Sequence, residues 1–130
     1  MDHRPISTEH APAAIGPYSQ GMILDVGDRK LLFLAGQIPL DPGTGELVLD
    51  SVEAQVQRVM ENVGAVLREA GSGFDRILKV TIFLKDMNDF AVVNEVYSRY
   101  VSDPAPARAT VAVRGLPKDV SVEIEAIAYA

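Results

Sequence analysis

The chain has 130 residues, 48% of them hydrophobic, with 18 Asp and Glu, 12 Lys and Arg and no cysteine. This suits one domain, residues 1–130, with a core of its own, and excludes a disordered chain, a disulfide scaffold and thiolate chemistry. A net charge of −6 without any basic run argues against nucleic acid as a partner. The longest apolar run, Leu31 to Ala35, is too short for a bilayer, and Met1 to Pro5 lacks an apolar signal core, so a soluble cytoplasmic protein is expected.

The start of the chain, to about residue 14, is rich in Pro and Ala and is expected to be an extended, mobile arm that carries His3 and His10. Tyr18 after Gly16-Pro17 reads on its own as a half-buried aromatic with its hydroxyl hydrogen-bonded. Met22 to Val26 and Lys30 to Gly36, around Gly27-Asp28, predict a β-hairpin. The second run is apolar at successive positions, which predicts a strand covered on both faces. Gly36 at its end marks either a bulge or a backbone N–H offered to a ligand.

A turn at Asp41 to Gly45 precedes a helix that starts at Asp50, with Glu53 at capping-box spacing. Val52, Val56, Val59, Met60, Val63, Val66, Leu67 and Ala70 recur at helical period, and Gly71 ends the helix. Ile77 to Lys85 predicts a strand with Leu78, Val80, Ile82 and Leu84 on one face. Asn88 or Asp89 caps a second helix with the stripe Phe90, Val93, Val96, Tyr97, Tyr100 and Val101. The last quarter reads as a hairpin. Its strands, Arg108 to Arg114 and Val120 to Ala128, are joined by the turn residues Gly115, Pro117 and Asp119. In the final strand Val120, Val122, Ile124 and Ala126 point one way and Ser121, Glu123, Glu125 and Ile127 the other.

This element order fits the α+β class, a single sheet with two helices packed on one face. Two helices leave the other face bare. Because the central strands are apolar there too, that face requires a partner, most simply another copy of the chain.

The usual catalytic constellations are missing. There is no metal-ligand spacing, no phosphate-binding glycine loop, and no credible Ser/His/Asp set with both histidines near the start. Arg108 and Glu123 remain. Arginine binds a carboxylate through two parallel hydrogen bonds, and a nearby glutamate can hold a water as general base. The same two residues also read as a structural ion pair, and the residues alone leave both readings open.

Four blocks carry a resemblance. They are Ala11-Pro12-Ala13-Ala14-Ile15-Gly16-Pro17-Tyr18-Ser19-Gln20, Ala35-Gly36-Gln37-Ile38-Pro39, Lys85-Asp86-Met87-Asn88-Asp89-Phe90, and Pro106-Ala107-Arg108 with Leu116-Pro117 and Val122-Glu123-Ile124. In this order, covering nearly the whole chain, they resemble the signature of the RidA (YjgF) family. The resemblance implies a chorismate-mutase-like fold assembled as a homotrimer around a barrel-like sheet core, with ligand clefts between subunits. It implies hydrolysis, without cofactor or metal, of reactive 2-imino acids (2-iminobutyrate, 2-iminopropionate or its enamine 2-aminoacrylate) to 2-keto acids and ammonia, protecting enzymes that use pyridoxal phosphate. Carried over by position, Arg108 and the Gly36 N–H bind the carboxylate, Glu123 positions the water, Tyr18 lines the cleft, and Asn94 on the second helix contacts substrate.

Two positions depart from the pattern. Ala35 stands where many members have serine, and Thr110 stands where cysteine is common. Both adjoin the implied substrate site, and Ala35 bears on substrate preference and rate. Three competing functions follow. The cleft could serve a sensor that binds 2-keto acids without turnover. The chain could be a ribonuclease or translation inhibitor, which its acidic charge disfavours. It could also be a purely structural or chaperone-like trimer.

Overall fold

The computed structural model describes residues 2–130. Six strands, β1 (His3–Ile6), β2 (Gly21–Val26), β3 (Arg29–Gln37), β4 (Ile77–Leu84), β5 (Ala107–Ala112) and β6 (Val122–Tyr129), form one sheet in the order β1-β2-β3-β6-β4-β5. Two helices, α1 (Val52–Glu69) and α2 (Phe90–Ser98), pack on one face, giving the expected α+β architecture. β4 and β5 run parallel, with α2 as their crossover, and the other neighbours are antiparallel. Among the described residues no helix is long and apolar enough to cross a membrane.

The helical periodicity of α1 becomes the core. Val56, Val59, Met60, Val63, Val66 and Leu67 are almost wholly buried against Leu32, Val80, Ile82, Leu84 and Ile124 of the sheet. The cap is Ser51, one residue after the expected Asp50: its Oγ accepts the Ala54 N–H at 3.0 Å. Gly71 ends the helix at φ +77°, where a side chain would be strained, and its N–H donates to Arg68 O at 3.0 Å. At the second helix neither Asn88 nor Asp89 caps by side chain. Asp86 does so one turn earlier, accepting the Asn88 N–H at 2.9 Å and starting a 3₁₀ turn that runs into α2.

The last quarter is not a hairpin. β5 and β6 are not neighbours; β4 lies between them and pairs with both. β6 alternates strictly between buried and part-exposed positions and needs a partner on each side. β5 contains no buried residue, which suits an edge. The expected facing of β4 also fails at its start. A register shift between Ile77 and Lys79 turns Ile77 into the core and leaves Leu78 46% exposed. The N-terminal arm is ordered as β1, which pairs with β2 and contains His3; His10 stays exposed in the following loop.

The face opposite the helices is uncovered within the chain. Phe33 and Val111 are 43% and 42% exposed there, with Thr81 and Ile127 partly exposed between them. The apolar run of β3 is therefore covered on one face only within the chain, not on both as expected: Leu32 and Leu34 enter the core and Phe33 points to the bare face.

Candidate functional site

The resemblance-derived residues fall into two groups. The first lies at the end of the sheet where β3 and β6 bulge apart. The β3–β6 register shifts between Leu34 and Gln37, which puts Ala35 and Gly36 in the irregular stretch. The bulge expected at Gly36 is present, and it lets the Glu123 side chain lie against the Gly36 backbone. A Cβ on Gly36 would fall on Glu123 Oε2 and stand 2.9 Å from its Cδ. Tyr18, Ala35, Gly36 and Glu123 line one open cleft of ≈ 360 Å³, with Ile15 and Ile38 as apolar walls and Lys118 at the rim. Tyr18 is 53% exposed and its hydroxyl has no hydrogen-bond partner among the described residues, so it is not the half-buried, satisfied aromatic expected from sequence alone.

Glu123 meets no cation. Among the described residues it enters no ion pair, and burial, followed by repulsion from Glu125, raises its pKa above the ordinary 4.5. An ion pair with Arg108 would have had the opposite effect.

Arg108 belongs to the second group. On edge strand β5 it pairs in register with Val80, on the helix side of the sheet, whereas Glu123 pairs with Phe83 on the open side. The two side chains therefore sit on opposite faces with β4 between them, and the expectation that they are neighbours fails within one chain. Arg108 Nη1 instead donates to Asn94 Oδ1 at 2.7 Å, and the guanidinium lies 5.2 Å from the Tyr97 ring centroid and 5.7 Å from that of Phe90. Thr110, two residues further along β5, shares this face, and its buried Oγ1 makes no hydrogen bond. Asn94 thus holds the arginine in this structure.

Three buried amides escaped the sequence reading, and each ties a wall of the cleft. Gln20 Oε1 accepts the Thr8 N–H at 2.7 Å, while Nε2 donates to the carbonyls of Thr8, Ala11 and Pro12 at 2.8–3.2 Å. This fixes the arm that leads to Ile15 and Tyr18. Asn62, fully buried in α1, donates to Ile38 O and Leu40 O at 3.2 and 2.9 Å, anchoring the segment after Gly36. Gln55 Oε1 accepts the Ser121 N–H at 2.9 Å and holds the approach to Glu123. Among the described residues no group of three or more His, Asp or Glu side chains is placed to hold a metal ion.

The endoribonuclease L-PSP family model matches residues 8–130. The chain belongs to that family, the YjgF/RidA family. A RutC family protein of Pyrococcus abyssi is 54% identical over 124 residues, covering 95% of this chain and 94% of the relative. The mouse 2-iminobutanoate/2-iminopropanoate deaminase is 46% identical over 123 residues, covering 95% of this chain and 88% of the mouse protein. The crystal structure of RidA from an Antarctic Psychrobacter superposes with a TM-score of 0.89 at 42% identity, covering 98% and 99% of the two chains.

Proposed function

We propose that this member of the RidA family hydrolyses small 2-imino acids to 2-keto acids and ammonia, at sites that each combine two subunits of a homotrimer. The observation that carries this reading is the separation of Arg108 and Glu123. One chain holds a carboxylate-binding fork without a carboxylate and a proton acceptor without a cation, on opposite faces of its sheet. The bare apolar face supplies the reason to associate. Association of copies would bring the Arg108 group of one subunit to the Glu123 cleft of the next. The identity to the mouse deaminase supports the reaction class.

The chemistry follows from the residues. Arg108 and the Gly36 N–H hold the substrate carboxylate. A protonated imine is already electrophilic at C2, so orientation of water is the main demand. Glu123, its proton affinity raised by burial, takes a proton from the attacking water and returns it to nitrogen of the tetrahedral carbinolamine. Ammonia leaves as the remaining hydroxyl gives its proton to the Glu123 carboxylate and the ketone forms; the departing ammonia then carries that proton off as ammonium. No cofactor enters these steps. Tyr18, with its free hydroxyl, closes one side of the cleft.

Complementation tests both parts. A threonine dehydratase supplies 2-iminobutyrate, semicarbazide traps it, and the protein competes with the trap. Arg108→Ala and Glu123→Ala should each be inactive. Trimers mixed from the two variants should recover about a quarter of the wild-type sites, since only one pairing in four joins both intact halves. Two inactive variants that remain inactive when mixed would refute the shared site, and an inactive wild type would refute imine hydrolysis. One observation favours a second reading, a 2-keto-acid sensor: Ala35 offers the cleft no hydroxyl. Saturable 2-oxobutyrate binding without turnover would select it.

A further inference from the structure

Arg108 is an exposed cation on edge strand β5, and it is held in an unusual way. Its one hydrogen-bonded partner among the described residues is a neutral amide, Asn94, and no carboxylate lies in ion-pair reach. Two aromatic rings from α2 take the place of an acid, Tyr97 at 5.2 Å and Phe90 at 5.7 Å from the guanidinium carbon. Asn94 and Phe90 are four apart and Tyr97 follows Asn94 by three, so one face of one helix carries all three partners. An acidic partner would neutralise the arginine and compete with a substrate carboxylate for its N–H donors. A ring face attracts the cation through its quadrupole and occupies none of those donors.

We propose that Tyr97 and Phe90 are positioning residues for Arg108, an aromatic cradle that presents its free donor edge, still charged and unpaired, to an incoming carboxylate. This rests on the carboxylate-binding reading above and adds to it the reason the fork is ready before substrate arrives. Tyr97 suits the task in a second respect. It is 4% exposed with an unpartnered hydroxyl, and burial keeps that phenol neutral although Arg108 pulls the other way. A phenolate there would pair with the guanidinium and cancel its charge. Phe90 is 39% exposed, so its ring can be removed without opening the core.

The test follows the Arg108 side chain itself. In the ¹⁵N-labelled protein, relaxation of the Arg108 Nε–H, assigned by its disappearance in Arg108→Lys, should report a rigid side chain in the wild type and in Tyr97→Phe. Phe90→Leu and Tyr97→Leu should loosen it. The same four proteins titrated with 2-oxobutyrate should show the two leucine variants binding about fivefold more weakly, the upper end of the range for an exposed cation–π contact. In the imine assay that loss should appear in KM with kcat little changed. Should Tyr97→Leu fail to fold, Phe90→Leu carries the test alone. A mobile Arg108 in the wild type, or unchanged order and affinity in Phe90→Leu, overturns the cradle. A rigid Arg108 loosened by Phe90→Leu in a protein that neither binds 2-oxobutyrate nor hydrolyses imine sustains the cradle and refutes the proposed function.

Discussion

Replacing Gly36 by alanine bears first on Glu123. Gly36 is not among the residues with positive φ, so the backbone accepts a side chain. The three heavy atoms nearest to the new methyl all belong to Glu123: it overlaps Oε2 and stands 2.9 Å from Cδ and 3.2 Å from Cγ, where ordinary contact begins at 3.4 Å. The carboxylate carbon must retreat by about half an ångström and the oxygen by more. Misplacing a reacting group by about 1 Å costs on the order of 10²-fold in rate, so kcat should fall roughly 10- to 100-fold, or about 1.4–2.7 kcal/mol of transition-state stabilisation. The fold should not suffer, because the displaced group is the far end of a flexible side chain that moves toward water. The trap-competition assay measures kcat, and titration with 2-oxobutyrate measures carboxylate binding by Arg108 and the Gly36 N–H together; the loss in kcat should exceed the loss in binding. Near-normal turnover in Gly36→Ala would refute the placement of Glu123 as the water-activating group.

Three other outcomes follow from the structure. Glu123→Gln should raise Tm at pH 7 and leave it unchanged at pH 4. The folded pKa lies above the ordinary 4.5, so the stability of the protonated state is present below that value and is lost as pH rises through the raised one; glutamine cannot ionise. The acid limb of the wild-type activity profile should correspondingly lie above pH 4.5. Asn62→Ala takes the amide donor from the Leu40 carbonyl, whereas the Ile38 carbonyl keeps the Leu40 N–H at 2.7 Å; this should cost about 1–3 kcal/mol and lower Tm by roughly 5–10 °C in thermal unfolding. Phe33→Glu puts a charge on the bare sheet face and should shift sedimentation toward monomer with loss of imine turnover; an active, unshifted assembly would exclude that face as the interface.

Periodicity made most of the fold legible. The stripe of α1, the alternation of β6 and the Gly27-Asp28 hairpin all follow from local physics that the tertiary structure does not oppose. The error in the last quarter has a clear cause. Turn chemistry at Gly115 to Asp119 says that the chain reverses, not which strand it returns beside. The arbiter is the face pattern: β5 has no buried face, with Ala, Arg and Thr and one valine, Val111, on the bare side, and belongs at an edge, while β6 must be flanked. Leu78 was misassigned because a bulge moves a side chain to the other face without any change in sequence pattern. At the site, the same motifs identified both clusters, but not that they lie apart, since register and face decide this. Gln55 and Asn62 did leave a signal. They fall on the apolar stripe of α1 among Val52, Val56, Val59 and Val63, and an amide in such a position must find polar partners inside.

Those amides decide how the cleft comes apart. Gln55 and Asn62 belong to the central helix of the core, and Gln20 stands just before β2, where its carbonyl accepts the Ala35 N–H. Each wall of the cleft is thereby bonded to the interior and not only to its neighbours in sequence. The loops around Glu123 consequently have no low-energy opening of their own, and their amide protons should exchange as slowly as those of α1, through global unfolding. A pocket fastened in this way has no lid to close. In the proposed trimer, access for substrate would then be governed by the breathing of the seam between subunits, and a change that loosens that seam would alter the rate of entry while leaving the walls of the cleft as they are.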